Sequence, residues 1–216
     1  MPPATADGAP RGKLPLVERI PDCTGVLVAG GQARRLGGAA KGFVRVSGIP
    51  IAARSLALFR ALFDEVLVVA NDPGPWLALG APVVPDAIAG KGAPGGLHAA
   101  LRAARTGWIF AAACDMPFLS EGPIRDLAAR RAGAPAVLVE WERGLEGLHA
   151  FWSRSALPAV ERMLQEGNPS LRAIAAEIGA RVVPGTEWRA VDPGGRCLEN
   201  VNTPDDLRRL GLEPPC

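Results

Sequence analysis

The sequence predicts an α/β fold in which a mostly parallel central sheet lies between helical layers. Three observations point to it. Short apolar runs without alternation, Thr24 to Ala29, Glu65 to Ala70 and Gly107 to Ala113, suit strands buried on both faces. Between them lie helical patterns of about ten to fifteen residues, the length of a crossover between parallel strands. Glycine-rich and polar residues follow the runs, at the edge where open sheets bind ligands.

The elements follow in chain order. Thr24 to Ala29 is the first strand, and it ends in Gly30-Gly31. A loop rich in Gly and Arg runs to Lys41, and Phe43 to Val46 reads as a second short strand closed by Ser47-Gly48. Pro50 opens a helix on which Ile51, Leu58, Phe59 and Leu62 share a face. Glu65 to Ala70 and Ala81 to Val84 are strands, Gly96 to Arg105 a helix, and Gly107 to Ala113 a strand. Ser120 to Arg131 reads as a helix, with Ser120 as its cap and Pro123 in its first turn. Ala136 to Glu140 and Leu148 to Trp152, separated by a charged turn, predict paired strands. Helices over Ala156 to Gln165 and Ser170 to Ile178 flank Gly167-Asn-Pro, and Arg181 to Val183 is a last strand. Thr203-Pro204-Asp205-Asp206 is a helix start: a capping hydroxyl, Pro in the first turn and acids at the positive end of the dipole.

Composition removes most other classes. The chain has 216 residues, 48% apolar and 21% charged, which is an ordinary globular balance. With 24 basic against 22 acidic residues, binding to nucleic acid or to a membrane surface is not expected. The longest apolar stretch, Trp108 to Cys114, falls well below the ~18 residues of a membrane helix. Cys23, Cys114, Cys197 and Cys216 show no C-x-x-C pair, so neither a zinc site nor a disulfide framework is indicated. Residues 1–22 read as a flexible tail without a signal-peptide core, 23–216 as one domain, and the location as cytoplasmic. The 26 Gly and 21 Pro point to many tight loops.

Candidate chemistry sits in those loops. Gly30, Gly31, Gly37 and Gly38 let backbone approach a ligand, and Arg34, Arg35 and Lys41 bring three positive charges, a pattern suited to a polyphosphate or simply to a solvated loop. It is not a Walker loop, because Gly42 and not Ser or Thr follows Lys41. Gly90-Lys-Gly92-Ala-Pro-Gly95 spells G-x-G-x-x-G but does not directly follow a strand, which argues against a dinucleotide fingerprint. Asp115, at the end of a buried strand, is placed to bind magnesium or to close a turn. Asp86 follows another strand and can accept from a base or ribose. Asn200 and Asn202, two apart in an extended segment, can face one ligand, or one of them can bond its own loop. His98 and His149 lack a partner nucleophile motif, so a hydrolase triad is not indicated.

Val28-Ala-Gly-Gly31, Arg35-Leu-Gly-Gly-Ala-Ala-Lys41, Asp86, Ala93-Pro-Gly-Gly-Leu97, Cys114-Asp-Met-Pro117 and Asn200-Val-Asn-Thr-Pro204 occur in this order over nearly the whole chain after the tail. Together they resemble the molybdenum cofactor guanylyltransferase family, the MobA-type nucleotidyltransferases. Its pattern is L-A-G-G, R-M-G-x-x-K, a later Asp, G-P-x-x-G-L, C-D-x-P and N-V-N-T-P. Val28 stands for the usual Leu, Leu36 for Met, and Pro94 is displaced relative to Gly96-Leu97.

The resemblance implies a three-layer, Rossmann-like nucleotidyltransferase fold. It also implies a reaction in which GTP and the molybdopterin form of molybdenum cofactor give the guanine dinucleotide and pyrophosphate. By motif, Val28, Ala29, Gly30 and Gly31 would hold the nucleotide, and Arg35 and Lys41 would neutralise the triphosphate. Asp86 would contact the nucleoside, Asp115 would hold Mg2+, and Asn200 and Asn202 would lie on the pterin side. Glu146 to Trp152 resembles the family's P-L-x-A-L-Y segment, also toward the pterin. Transient contact with proteins that deliver or receive the cofactor is expected. The alternatives are a cytidylyltransferase on the same pterin, a sugar-phosphate nucleotidyltransferase and a non-catalytic nucleotide-binding protein.

Overall fold

A computed structural model describes residues 18–29, 41–86, 88, 90–167 and 169–215. Among the described residues nine strands form in chain order: β1 Cys23–Val28, β2 Arg45–Val46, β3 Ile49–Pro50, β4 Glu65–Val69, β5 Val83–Val84, β6 Trp108–Ala113, β7 Ala136–Trp141, β8 Gly144–Ser153 and β9 Arg181–Val183. The α-helices are α1 Ile51–Leu62, α2 Gly74–Leu77, α3 Gly92–Ala103, α4 Glu121–Ala129, α5 Leu157–Glu166, α6 Leu171–Glu177, α7 Gly185–Trp188 and α8 Pro204–Leu210.

Seven strands make one sheet in the order β5-β4-β1-β6-β8-β7-β9. Its first four strands are parallel, as are β7 and β9, while β8 runs antiparallel to both β6 and β7. Every residue of β1 is buried, which is why its sequence shows an unbroken apolar run and no alternation. On one face, Leu56 and Phe59 of α1, Ile124 and Leu127 of α4 and Trp188 of α7 pack with Leu27, Phe110 and Phe151. On the other, Leu97 and Leu101 of α3, Val160 and Leu164 of α5 and Ile174 of α6 pack with Val26, Ile109 and Trp152. The result is the expected three-layer α/β arrangement.

Several local expectations are corrected. The strand expected over Phe43 to Val46 is a 3-10 turn, Lys41–Phe43, followed by β2, which pairs with β3 in a separate two-stranded ribbon. The helix expected from Gly96 begins at Gly92, because a helix's first turn tolerates Pro94, whose missing N–H would be unpaired there anyway. Ser120 precedes α4 without making a side-chain cap, whereas Ser170 does cap α6. The second strand of the paired segment is ten residues long, with an irregularity where the pairing steps from Val139 opposite Glu146 to Val137 opposite Phe151.

Residues 1–17 of the expected tail lie outside the described residues. Residues 18–22 lie against the domain: the Ile20 N–H donates to the Leu62 carbonyl at 2.7 Å, and the Asp22 carboxylate accepts from the Gly107 N–H at 2.7 Å.

Candidate active site

The site residues gather at the edge where β1 and β6 end. Lys41 is carried by the 3-10 turn, which is pinned from below: Gly42 is buried, and a Cβ there would come within 2.8 Å of the Trp76 ring. Phe43 packs on the same ring at 5.2 Å between centroids. Asp115 stands two residues past β6, where the Cys114 N–H donates to the Val28 carbonyl at 3.1 Å and so ties the two strand ends together. The Asp115 carbonyl in turn accepts from the Val201 N–H at 2.9 Å, bringing in the C-terminal segment.

Three side chains meet there. Lys41 Nζ donates to Asp115 Oδ2 at 2.9 Å and also to Asn202 Oδ1. The Lys41 and Asp115 side chains are only 21% and 14% exposed, so the pair is screened from solvent far more than a surface bridge. Asn202 is held by α8: Asp206 Oδ2 accepts from the Asn202 N–H at 3.0 Å, from the Thr203 N–H at 2.9 Å and from the Thr203 hydroxyl at 2.9 Å. Burial opposes ionisation of Asp206, but these bonds outweigh it and hold its carboxyl below the usual range. Asn200 is turned away from the trio, its amide donating to the Leu198 carbonyl at 3.3 Å.

A second group lies beside β1. Val28, Gly92, Ala93, Ala113, Cys114, Asp115 and Leu148 line a cleft of about 180 Å³. The first turns of α3 close on it: a Cβ on Gly96 would lie 2.7 Å from Val28 Cγ1, and one on Gly95 would lie 2.7 and 2.9 Å from the Asp86 carboxylate oxygens. Glycine at both positions is what lets the helix seat there. Asp86 Oδ1 accepts from the Ile88 N–H at 3.0 Å, and the Asp86 N–H donates to Asn71 Oδ1 at 2.9 Å. Gly30, Gly31, Arg34 and Arg35 lie outside the described residues.

Three residues take their setting from the fold and not from a motif. Asn71 fixes the Asp86 loop, which only the fold brings within reach. Glu146, on β8, is close enough to Asp115 for its carboxyl to feel that charge; burial first, then Asp115, raises it above the usual range while Arg143 opposes them. His149 is fully buried against Phe110 and Trp188, with neither ring nitrogen bonded among the described residues, and burial lowers it to about 4. Burial likewise pushes the Cys23 and Cys114 thiols up to about 12, so both are protonated at neutral pH and not poised as nucleophiles.

Asp115 Oδ2 and Asn202 Oδ1 are hard oxygen donors already converging on one cationic centre, the Lys41 ammonium. That donor set fits a magnesium ion, which commonly takes one or two protein oxygens and completes its shell with phosphates and water. Among the described residues, no group of three or more His, Cys, Asp or Glu side chains is arranged to hold a metal by itself. Among the described residues, too, no helix is long and apolar enough to cross a membrane.

The chain is similar to known proteins over most of its length. Residues 25–182 match the MobA-like NTP transferase domain. The molybdenum cofactor guanylyltransferase of Desulfosudis oleivorans is 32% identical over 187 residues, covering 86% of this chain and 93% of that protein. The probable molybdenum cofactor guanylyltransferase of Chloroflexus aggregans is 35% identical over 192 residues, covering 86% and 91%. Among solved structures, molybdopterin-guanine dinucleotide biosynthesis protein A from Archaeoglobus fulgidus superposes with a TM-score of 0.72 at 27% identity, covering 86% of this chain and 95% of that one. With a family model spanning most of the chain and relatives similar over nearly their whole length, this protein belongs to the MobA-like NTP transferase family and is a nucleotidyltransferase.

Proposed function

We propose that the chain transfers GMP from GTP to the molybdopterin form of molybdenum cofactor, giving the guanine dinucleotide cofactor and pyrophosphate. The observation that carries this reading is the convergence of Lys41, Asp115 and Asn202 at the sheet edge, beside the cleft over β1. The names of the similar proteins from Desulfosudis oleivorans and Chloroflexus aggregans support the choice of nucleotide and acceptor.

In this reading an oxygen of the acceptor's terminal phosphate forms a bond to the α-phosphorus of GTP. The bond from that phosphorus to the bridging oxygen breaks, and pyrophosphate leaves with the electron pair. No proton needs to be abstracted from a phosphate nucleophile, so the protein's work is positioning and charge neutralisation. The backbone at Val28, Ala29, Gly30 and Gly31 holds the nucleotide against β1, and Asp86 contacts the nucleoside. Lys41 and Arg35 neutralise the triphosphate and the departing pyrophosphate. Asn202 and Asn200 belong to the acceptor side. Asp115 and Asn202 would hold a Mg2+ ion, which when bound would supply Lewis-acid charge stabilisation. The reaction takes place in the cytoplasm, with transient contact to proteins that deliver or receive the cofactor.

The test is incubation of the purified protein with magnesium, molybdopterin cofactor and each of the four nucleoside triphosphates, scoring pyrophosphate and the dinucleotide formed. GTP-dependent release of both is expected. Turnover with CTP alone would move the assignment to a cytidylyltransferase, and no turnover with any nucleotide would overturn it.

A further inference from the structure

The segment after α8 makes contacts that the reaction proposed above leaves unused. α8 is capped by Gly211, whose φ of 65° lies in the left-handed region where a side chain is strained. The Gly211 N–H donates to the Arg208 carbonyl at 3.3 Å and the Leu212 N–H to the Leu207 carbonyl at 2.8 Å. This pair of bonds is the Schellman arrangement, which turns the chain back along the helix it has just left. Leu212 is thereby buried with Leu207 packed against it, in a small apolar cluster with Val44, Ile51 and Val201 that is separate from the two faces of the sheet.

Glu213 then reaches the β2–β3 ribbon. The Arg45 N–H donates to the Glu213 carbonyl at 2.9 Å, and the Glu213 N–H donates to the Arg45 carbonyl at 3.0 Å. On its other side Arg45 faces Pro50, which has no N–H to give, so the pairing with Glu213 is what satisfies both Arg45 backbone groups. The Gly48 N–H, in the ribbon's turn, donates to Glu213 Oε1 at 3.2 Å. Lys41 lies in the 3-10 turn that leads into β2, its carbonyl accepting from the Val44 N–H at 3.1 Å. Asn202 lies immediately before the capped start of α8. One seven-residue helix therefore runs from Asn202 at its start to the strand partner of Lys41's ribbon at its end.

Lys41 Nζ donates to both Asn202 Oδ1 and Asp115 Oδ2 and so links the two segments itself. When the ammonium turns to the triphosphate, that link is given up at the moment when alignment matters most. The backbone pairing of Arg45 with Glu213 is uncharged and does not compete for the ammonium, so it persists. We propose that Gly211, Leu212 and Glu213 are positioning residues, a backbone clasp that keeps Lys41 and Asn202 in register while Lys41 is engaged with phosphate. This rests on the reading of Lys41 as a phosphate ligand.

The experiment compares the full chain with three variants, after thermal unfolding has shown that each folds. Gly211→Val puts a β-branched residue in the left-handed turn, although nothing lies within 4 Å of its Cβ. Gly211→Asn places there a residue that tolerates this conformation. Glu213→Pro removes the N–H bonded to Arg45. Kinetics are measured well below every melting temperature, where a purely structural role leaves turnover unchanged. In Gly211→Val and Glu213→Pro kcat should fall about 10-fold or more, the scale of a misplaced group, with a smaller change in the KM for GTP. Gly211→Asn should stay within about 3-fold of the parent in both.

A second measurement needs no turnover. Urea unfolding of Lys41→Met, Asn202→Ala and the double variant gives the coupling between the two side chains. It should be at least about 3-fold in the folding constant of the parent and should vanish when the cycle is repeated on Gly211→Val. Unchanged coupling in that background, parental kcat in Gly211→Val and Glu213→Pro, or equal losses in Gly211→Val and Gly211→Asn would overturn the proposal. A parent that forms no dinucleotide would instead sink the function proposed above, and the coupling would still decide whether the clasp sets Lys41 against Asn202.

Discussion

Lys41 Nζ lies 2.9 Å from Asp115 Oδ2 across 74 positions of sequence, and the same ammonium reaches Asn202 from 161 positions away. One cation thus holds two oxygen donors together at the end of β6. Removing either member of a partly buried pair strands the other, at a cost of about 1–3 kcal/mol. Lys41→Met and Asp115→Asn should each lose stability on that scale, and the double variant should lose less than their sum, as measured by urea unfolding. Turnover should not recover with it: Asp115→Asn should fall more than about 100-fold in kcat, the scale of a lost electrostatic stabiliser.

Because Lys41 already satisfies Asp115 and Asn202, a magnesium ion alone has little to gain at these oxygens. Millimolar magnesium should leave the melting temperature unchanged, whereas magnesium with GTP should raise it, since ligands that bind only the folded state stabilise by mass action. A rise with magnesium alone would count against this arrangement, and differential scanning fluorimetry reads either outcome.

Gly95 touches the Asp86 carboxylate so closely that an added methyl must displace it. Gly95→Ala should therefore raise the KM for GTP by about 10-fold, equivalent to about 1.4 kcal/mol of binding, with a smaller change in kcat. If Asp86 is the group displaced, adding Asp86→Ser to Gly95→Ala should cost little more. Steady-state kinetics of the two single variants and the double variant decide it.

Asp206 positions Asn202 from within α8, where the Thr203 hydroxyl and the Asp206 carboxylate form a reciprocal capping box. Asp206→Ala should cost about 1–2 kcal/mol of stability and reduce kcat while leaving the KM for GTP nearly unchanged. The Asp206 carboxyl is depressed, so its stabilisation is present above the ordinary carboxylate pKa of about 4 and is lost as the pH falls below it. Acid titrations of parent and variant should differ only at that end.

His149 is buried as a neutral ring, lowered to about 4 from an ordinary value near 6.5. Between those values the unfolded chain binds the proton and the folded one does not. Stability is therefore intact above about pH 6.5 and declines as the pH falls toward 4, by up to about 3 kcal/mol. In His149→Leu this portion of the pH dependence should vanish, as urea midpoints at pH 7 and pH 5 would show.

Local pattern is enough to locate the strands of the sheet core and the loops that carry polar residues. Apolar runs such as Thr24 to Ala29 and Gly107 to Ala113 are local signals, and a strand buried on both faces needs no partner to be recognised in the sequence. Lys41, Asp115 and Asn202 are likewise legible as polar residue types in the loops between these elements. Which of them meet is settled by the packing of the whole chain. The strand order places β1, β6 and β8 side by side although they are distant in sequence, and that order depends on non-local packing. So Asn202 reaches Lys41 while Asn200, two residues earlier, bonds its own loop. Glycines that look like turn residues at Gly95 and Gly96 lie inside a helix, because α3 must approach Asp86 and Val28 more closely than any side chain allows. The segment beginning at Glu146 is legible by resemblance, but it is the antiparallel return of β8 that brings its half-buried carboxylate to the edge where Asp115 stands.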